Sequence, residues 1–250
     1  MKNGDKWLEF DEILHKQEHW SLERLDYHVQ RMLNGFEVKD KRILDLGCGR
    51  GSFAVFFALS GAKRVVGIDP AGDGGEAVAL EALPARIEQL ELDNCEFLPA
   101  ALTKGMFEAE SFDLLFLHNS INHLHEVTSD LREDQVARQL YADLFAEMFR
   151  ITAPGGAIVM CDCTRSNLFA PLVRRGFGHP VPGMSVIEWD KHQEPRVWRK
   201  LLTDVGFVPT GLSWYLPFPL RRFGKLIDNW FFNFCTLSHF TLRARRGQPS

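Results

Sequence analysis

Nine residues, Ile43-Leu44-Asp45-Leu46-Gly47-Cys48-Gly49-Arg50-Gly51, carry the densest chemical signal in the chain. An apolar run ends in a carboxylate and breaks into three glycines, and the segment from Ser52 to Ala62 is then apolar and of helix length. Strand, glycine loop and helix in that order let backbone N–H groups at a helix N-terminus approach a ligand closely, because residues without Cβ remove the steric barrier. A second acid, Asp69, ends the run Arg64-Val65-Val66-Gly67-Ile68 and lies eighteen residues beyond Gly51. That is close to the ~20-residue offset of a carboxylate that accepts from ribose hydroxyls. A third segment, His118-Asn119-Ser120-Ile121-Asn122-His123-Leu124-His125, is dense in groups that hydrogen-bond or carry protons. A neutral histidine there could take a proton near neutral pH.

The elements that must position these loops alternate. Residues 1–40 read as an amphipathic helical segment, with Leu22, Leu25, Val29, Met32 and Leu33 at helix spacing, Ser21 as N-cap and Asn34-Gly35 as stop. Strands are expected at 64–69, 96–98, 111–117 and 157–161 besides the one that ends at Asp45. A glycine turn (Gly72, Gly74, Gly75) should lead into a helix from Glu76 to Leu92. Another helix is expected over 130–150, with Asp130 and Glu133 as a capping box and Val136, Leu140, Leu144, Met148 and Ile151 on one face, ended by Ala153-Pro154-Gly155-Gly156. After Pro195 a helix resumes, and Pro209–Leu216 and Cys235–Arg243 should be the last two strands. Such alternation implies parallel βαβ units in a doubly wound α/β sheet, with ligands outside the carboxyl ends of the strands. Residues 164–195 break the pattern with prolines and glycines and read as a lid inserted into a domain spanning 41–250.

A dinucleotide fingerprint needs Gly-x-Gly-x-x-Gly. Counted from Gly47, the sixth position is Ser52, so the loop fits a nicotinamide dinucleotide poorly. The nine residues instead resemble the first motif of the class I S-adenosylmethionine-dependent methyltransferases: an acid, an apolar residue and Gly-x-Gly-x-Gly. The helix, Pro-Gly-Gly turn and strand around 130–161 are similar to that family too. The resemblance implies a mostly parallel seven-stranded sheet with an antiparallel last strand, helices on both faces, and S-adenosylmethionine as cofactor. By the same resemblance, Asp45, Gly47, Cys48, Gly49 and Gly51 hold the methionine portion. Asp69 and Pro70 meet the ribose. Ala101 and Leu102 form the adenine edge, where Ala100 and Ala101 replace the acid that the family often carries. His118 either acts as a base or offers its carbonyl near the sulfonium. His123 matches a histidine whose role in the family is basic or structural. Asn119, Asn122, Glu188 and His192 are expected to touch the acceptor.

The expected activity is in-line methyl transfer to an oxygen or nitrogen of a small molecule. A non-catalytic S-adenosylmethionine-binding protein and a NAD-dependent oxidoreductase are the alternatives. With 250 residues, 45% hydrophobic and 25% charged, the composition is that of an ordinary globular protein. The net charge of −4 gives no global field for phosphates, so a small-molecule acceptor, with a lipid-like one as an option, is expected rather than a nucleic acid. Five cysteines without a Cys-x-x-Cys pair, and no apolar stretch near ~18 residues, point to a reducing cytoplasm and no transmembrane segment. No metal is expected, because His118, His123 and His125 with Asp162 match no zinc spacing. The connector Pro217–Lys225 with Trp230-Phe231-Phe232 reads as an aromatic mini-core under the lid; a membrane-facing surface is the alternative.

Overall fold

Two helices precede the glycine loop in the computed structural model, which describes residues 3–70, 79–125, 127–180 and 187–247. They are α1 (Asn3–Glu18) and α2 (Leu22–Leu33). The Ser21 hydroxyl accepts from Arg24 N–H, and Asn34 ends α2 in the left-handed conformation, so both sequence signals act as caps. Next come β1 (Arg42–Leu46), α3 (Ser52–Leu59), β2 (Arg64–Ile68), α4 (Ala79–Gln89), β3 (Cys95–Leu98) and β4 (Phe112–His118). The second half adds α5 (Gln135–Ile151), β5 (Thr152–Cys163), α6 (Ala170–Val173), α7 (Pro195–Asp204), β6 (Phe207–Trp214), α8 (Trp230–Phe234) and β7 (His239–Arg246). The glycine turn at Gly72, Gly74 and Gly75 and the first residues of the helix expected from Glu76 lie outside the described residues.

The seven strands form one sheet in the order β3-β2-β1-β4-β5-β7-β6. The first five are mutually parallel, and β7 runs antiparallel to both β5 and β6. Side chains alternate across the sheet, so the central strands feed two cores. Ile43, Val65, Leu114 and Phe116 join Phe10, Leu14, Leu25, Val29 and Phe57 on the face covered by α1, α2 and α3. Leu44, Leu46, Val66, Leu115 and Leu117 join Tyr141, Phe145, Met148, Trp198 and Leu202 on the face covered by α5 and α7. The reversal of strand order between β1 and β4 places the ends of both strands beside one crevice.

Three expectations need correction. First, α5 starts later than the capping box implied: Asp134 caps it by accepting from Ala137 N–H, while Asp130 is engaged by Arg132. The buried stripe therefore runs through Ala137, Tyr141, Leu144, Phe145 and Met148, whereas Val136 and Leu140 are 76% and 46% exposed. Tyr141 and Phe145 pack on the Trp198 ring, which fixes that phase. Second, Pro154-Gly155-Gly156 does not terminate the helix but is absorbed within β5, where Phe112 pairs with Thr152 and Leu114 with Ala157 across a register shift. Third, the connector is no mini-core. Phe223, Leu226, Trp230 and Phe231 face outward, the Arg221 guanidinium covers the Phe218 ring at 3.9 Å, and the inward side is held by buried Asn233 donating to the Tyr215 carbonyl. The last strand accordingly begins at His239, four residues later than expected. No helix among the described residues is long and apolar enough to cross a membrane.

The cap assignment is testable by urea denaturation. Asp134→Ala should cost about 1 kcal/mol, and Asp130→Ala clearly less, because it removes only the local pair with Arg132.

Candidate functional site

At the carboxyl ends of β1, β2 and β4 lies a cleft of about 590 Å³. It brings together Asp45, Gly47, Cys48, Gly49, Asp69, Pro70, Ala101, His118, Asn119 and His123. The glycine loop folds over the end of β2, with the N–H groups of Gly47 and Cys48 both donating to the Ile68 carbonyl. Gly47 has φ +71°, and a Cβ there would stand 2.4 Å from Ser120 Cβ. Only glycine lets the segment after β4 approach, and the Ser120 hydroxyl locks that approach by donating to the Leu46 carbonyl at 2.6 Å. Gly49 opens to the cleft, with nothing within 4 Å of the position of a Cβ, and its N–H donates to Asp69 Oδ2 at 2.9 Å. Gly51 does not line the cleft. A Cβ on it would meet Leu83 at 2.5 Å, so it is the glycine that lets α4 pack against the loop.

Asp45 is buried beneath this loop, and its Oδ2 has no hydrogen-bond partner among the described residues. Burial, reinforced by the neighbouring Asp69 carboxylate, pushes its pKa up to about 8. A buried carboxylate with an unused oxygen, next to an open glycine, fits the ammonium end of an amino-acid-bearing ligand. His118 is held at the mouth against the Phe53 ring, centroids 4.5 Å apart. Burial, with His239 and His28 nearby, lowers its pKa to about 3, so it stays neutral and is a weak proton acceptor. His123 also faces the cleft, from the short 3₁₀ turn Ile121–His123.

The remaining site expectations fall elsewhere. Leu102 is half-buried against the second core and leaves only Ala101 at the cleft. Asn122 is wholly buried; its Oδ1 accepts from Gln193 N–H at 3.0 Å and its Nδ2 donates to the Cys163 carbonyl. Glu188 pairs with Lys191 on the surface. His192 is buried behind His123, the two rings edge to face at 5.8 Å. Asn122 and His192 thus brace the wall of the cleft rather than line it. His125 turns to the Tyr141 ring, away from the histidine and acid set weighed as metal ligands.

Sequence reasoning missed the N-terminal side of the cleft, formed by Gln17, Glu18 and Trp20. These are tied down by Arg86 of α4, 2% exposed, whose Nη2 donates to Gln17 and Glu18 while Nη1 donates to the Arg50 carbonyl and Ser52 Oγ. Ser52 Oγ in turn donates to Glu18. One buried guanidinium therefore joins the end of α1 to the glycine loop. No spacing signal links residues 68 positions apart; an arginine inside an amphipathic helix was the sole trace.

A family model described as a methyltransferase domain matches residues 37–193. An uncharacterized methyltransferase of Schizosaccharomyces pombe is 26% identical over 140 residues, which is 54% of this chain and 43% of that protein. A tRNA U34 carboxymethyltransferase of Pseudomonas aeruginosa is 33% identical over 104 residues, 42% of this chain and 29% of its own length. An rRNA N(6)-adenosine-methyltransferase of Drosophila melanogaster is 27% identical over 106 residues, 42% of this chain and 47% of that protein. The chain thus spans less than half the length of these relatives. Among solved structures, a SAM-dependent methyltransferase from Aquifex aeolicus superimposes with TM-score 0.58 at 14% identity, over 98% of both chains. One from Mesorhizobium loti has TM-score 0.57 at 20% identity, over 88% of this chain and 96% of that one. Two of the relatives act on RNA by name, so the expectation of a small-molecule acceptor with no nucleic-acid partner does not stand. It rested on net charge, which describes the far field of the whole chain and not the surface around one cleft.

Two measurements check this geometry. Arg86→Met should destabilise the protein by about 2 kcal/mol, as read by chemical denaturation, since it leaves the half-buried Glu18 carboxylate, the Arg50 carbonyl and Ser52 Oγ without their shared donor. In the ligand-free protein, the pKa of Asp45 rises on folding, so the native state holds its proton more tightly. That stabilising contribution is complete below about pH 4, the usual carboxyl value, and is lost as pH rises through about 8. Asp45→Asn should flatten the decline of stability across that window.

Proposed function

The chain belongs to the methyltransferase-domain family, and from that premise we propose that it transfers a methyl group from S-adenosylmethionine to an oxygen or nitrogen of an acceptor held beside His123. The observation that carries the reading is one continuous cleft lined by Asp45, Asp69 and the open glycine together with Asn119 and His123. When bound, the sulfonium supplies an electrophilic methyl. Asp45 and the loop around Gly49 are assigned the charged methionine end, Asp69 and Pro70 the ribose, and Ala101 the adenine edge. The chain's own contribution is mostly alignment, because an in-line displacement needs nucleophile, methyl and sulfur on one axis. His118, neutral and seated on Phe53, shapes the wall near the reacting centre. His123 takes the proton that an attacking O–H or N–H must release.

The acceptor we assign is a base within RNA. The tRNA and rRNA relatives support that choice, and the rings of Trp20, Phe53 and His118 around the mouth suit a flat heterocycle turned out of its stack. The described residues 164–180 and 187–195 are assigned the lid in this scheme, with Gln193 anchoring the second stretch to Asn122 and to the Leu131 N–H. Five unpaired cysteines fit a reducing cytoplasm.

Calorimetry should show binding of S-adenosylmethionine and S-adenosylhomocysteine, weakened roughly tenfold or more, about 1.4 kcal/mol, by Asp69→Ala. His123→Ala should leave that binding intact and lower turnover about 100-fold. Radiolabel from the donor, offered with total RNA and with a small-molecule extract, should enter RNA. Label confined to the small-molecule fraction would overturn the acceptor, and donor binding with no label anywhere would overturn catalysis.

A further inference from the structure

Behind His123, the end of β5 and the segment leading to α7 bring three unlike donor groups together. Asp162, Cys163 and His192 are all buried, and one donor atom from each lies within 4.8 Å of the other two. Among the described residues this is the only trio of metal-ligating side chains so placed. None of the three lines the donor cleft.

The hydrogen bonds around the trio settle which lone pairs face inward. His192 Nδ1 lies 2.9 Å from the Glu188 carbonyl oxygen. A carbonyl only accepts, so Nδ1 carries the hydrogen and Nε2 presents a lone pair in the neutral ring. That lone pair faces Asp162 Oδ1 at 3.6 Å. The carboxylate is itself held in place from the backbone, Oδ1 accepting from Cys163 N–H at 2.7 Å and Oδ2 from Asn122 N–H at 3.5 Å. Two acceptors aimed at each other in a buried wall repel unless a positive charge lies between them. A tetrahedral ion about 2.1 Å from each ligand separates neighbouring ligand atoms by roughly 3.4 Å; His192 Nε2 and Asp162 Oδ1 stand at 3.6 Å, and the trio as a whole, within 4.8 Å, would draw in on the ion. A ring with one nitrogen tied to a backbone carbonyl and the other aimed inward is also the arrangement of metal-bound histidines.

We propose that the Asp162 carboxylate, the Cys163 thiolate and His192 Nε2 bind a divalent cation of the zinc class. Sulfur, imidazole and carboxylate together favour such a borderline-soft ion over magnesium or calcium, which take oxygen ligands. Three protein ligands leave a fourth position for water. The ion staples the segment around His192 to the end of β5, and through the His192 ring it supports the position of His123. In the metal-free chain the thiol keeps its proton, because burial and the Asp162 carboxylate raise it well above its ordinary range. Its neighbour His239, with Nδ1 tied to the Leu237 carbonyl, accepts that hydrogen through Nε2 at 3.2 Å. Metal uptake breaks this S–H bond and releases the proton to solvent, while the sulfur electron pair forms the metal–sulfur bond.

The test titrates chelator-treated full-length protein with cobalt(II), then zinc(II). The expected result is one cobalt per chain with a thiolate-to-cobalt charge-transfer band in the near ultraviolet, abolished when zinc displaces it. Cys163→Ser should remove the band, His192→Gln should keep it with at least tenfold weaker affinity, and Cys161→Ser should leave it unchanged. Circular dichroism and cofactor calorimetry on each variant separate loss of the site from loss of the fold. No band in folded wild-type protein, or an undiminished band in Cys163→Ser, overturns the site. An imidazolium signal from His192 in nitrogen NMR without metal would instead assign the charge between the two acceptors to a proton.

Discussion

Two carboxylates end neighbouring parallel strands under a single glycine loop, and the geometry around them follows from that crowding. Asp45 lies in register with Gly67, and Asp69 stands one residue past β2, so the acids meet at the same edge of the sheet. Ionising both in a buried setting is costly, and the molecule divides their work. Asp69 holds the loop down through Gly49, while Asp45 remains protonated until a cation arrives. A ligand that brings a positive group meets a site already shaped for it and takes the place of the proton on Asp45. The missing side chains at Gly47 and Gly49 matter in the same sense: one admits Ser120 to the loop, the other leaves open space at the cleft.

Much of this was legible in the residues. The acid-glycine motif, Asp69 at its offset and the polar run after β4 lie around one crevice because parallel βαβ units put the carboxyl ends of their strands together. Local signals read well where the physics is local, as at Ser21 and Asn34. They failed where partners are remote. The phase of α5 is set by Trp198, more than fifty residues downstream, and its cap is whichever acid remains after Arg132 has taken Asp130. Asn122 and His192 were chemically plausible acceptor contacts, yet each is occupied by groups from β5 or the 187–195 segment that no periodicity announces.

The N-terminal helices illustrate the same limit at a larger scale. Their amphipathic pattern predicts burial against a sheet face, which occurs. It does not predict that the end of α1 becomes a wall of the cleft, because that depends on a single guanidinium bridging α1, α4 and the glycine loop. A buried arginine with this many acceptors is a geometric constraint on three elements at once. This side of the cleft is thus assembled from parts of the chain that share no motif, which is why motif reading describes the glycine loop well and the surrounding walls poorly.

The antiparallel strand β7, interior to the sheet, imposes an order on assembly. β7 lies between β5 and β6, and β6 pairs with no other strand. Although β6 is made earlier, it has nowhere to dock until residues 239–246 have been synthesised and laid against β5. Until then the hydrogen-bonding edge of β5 is open and the core beneath α7 is incomplete, a state with an unpaired strand edge of the kind that invites misassociation. The ligand-facing half can therefore form ahead of the far half, whose folding is limited by the long-range pairing of β5 with β7.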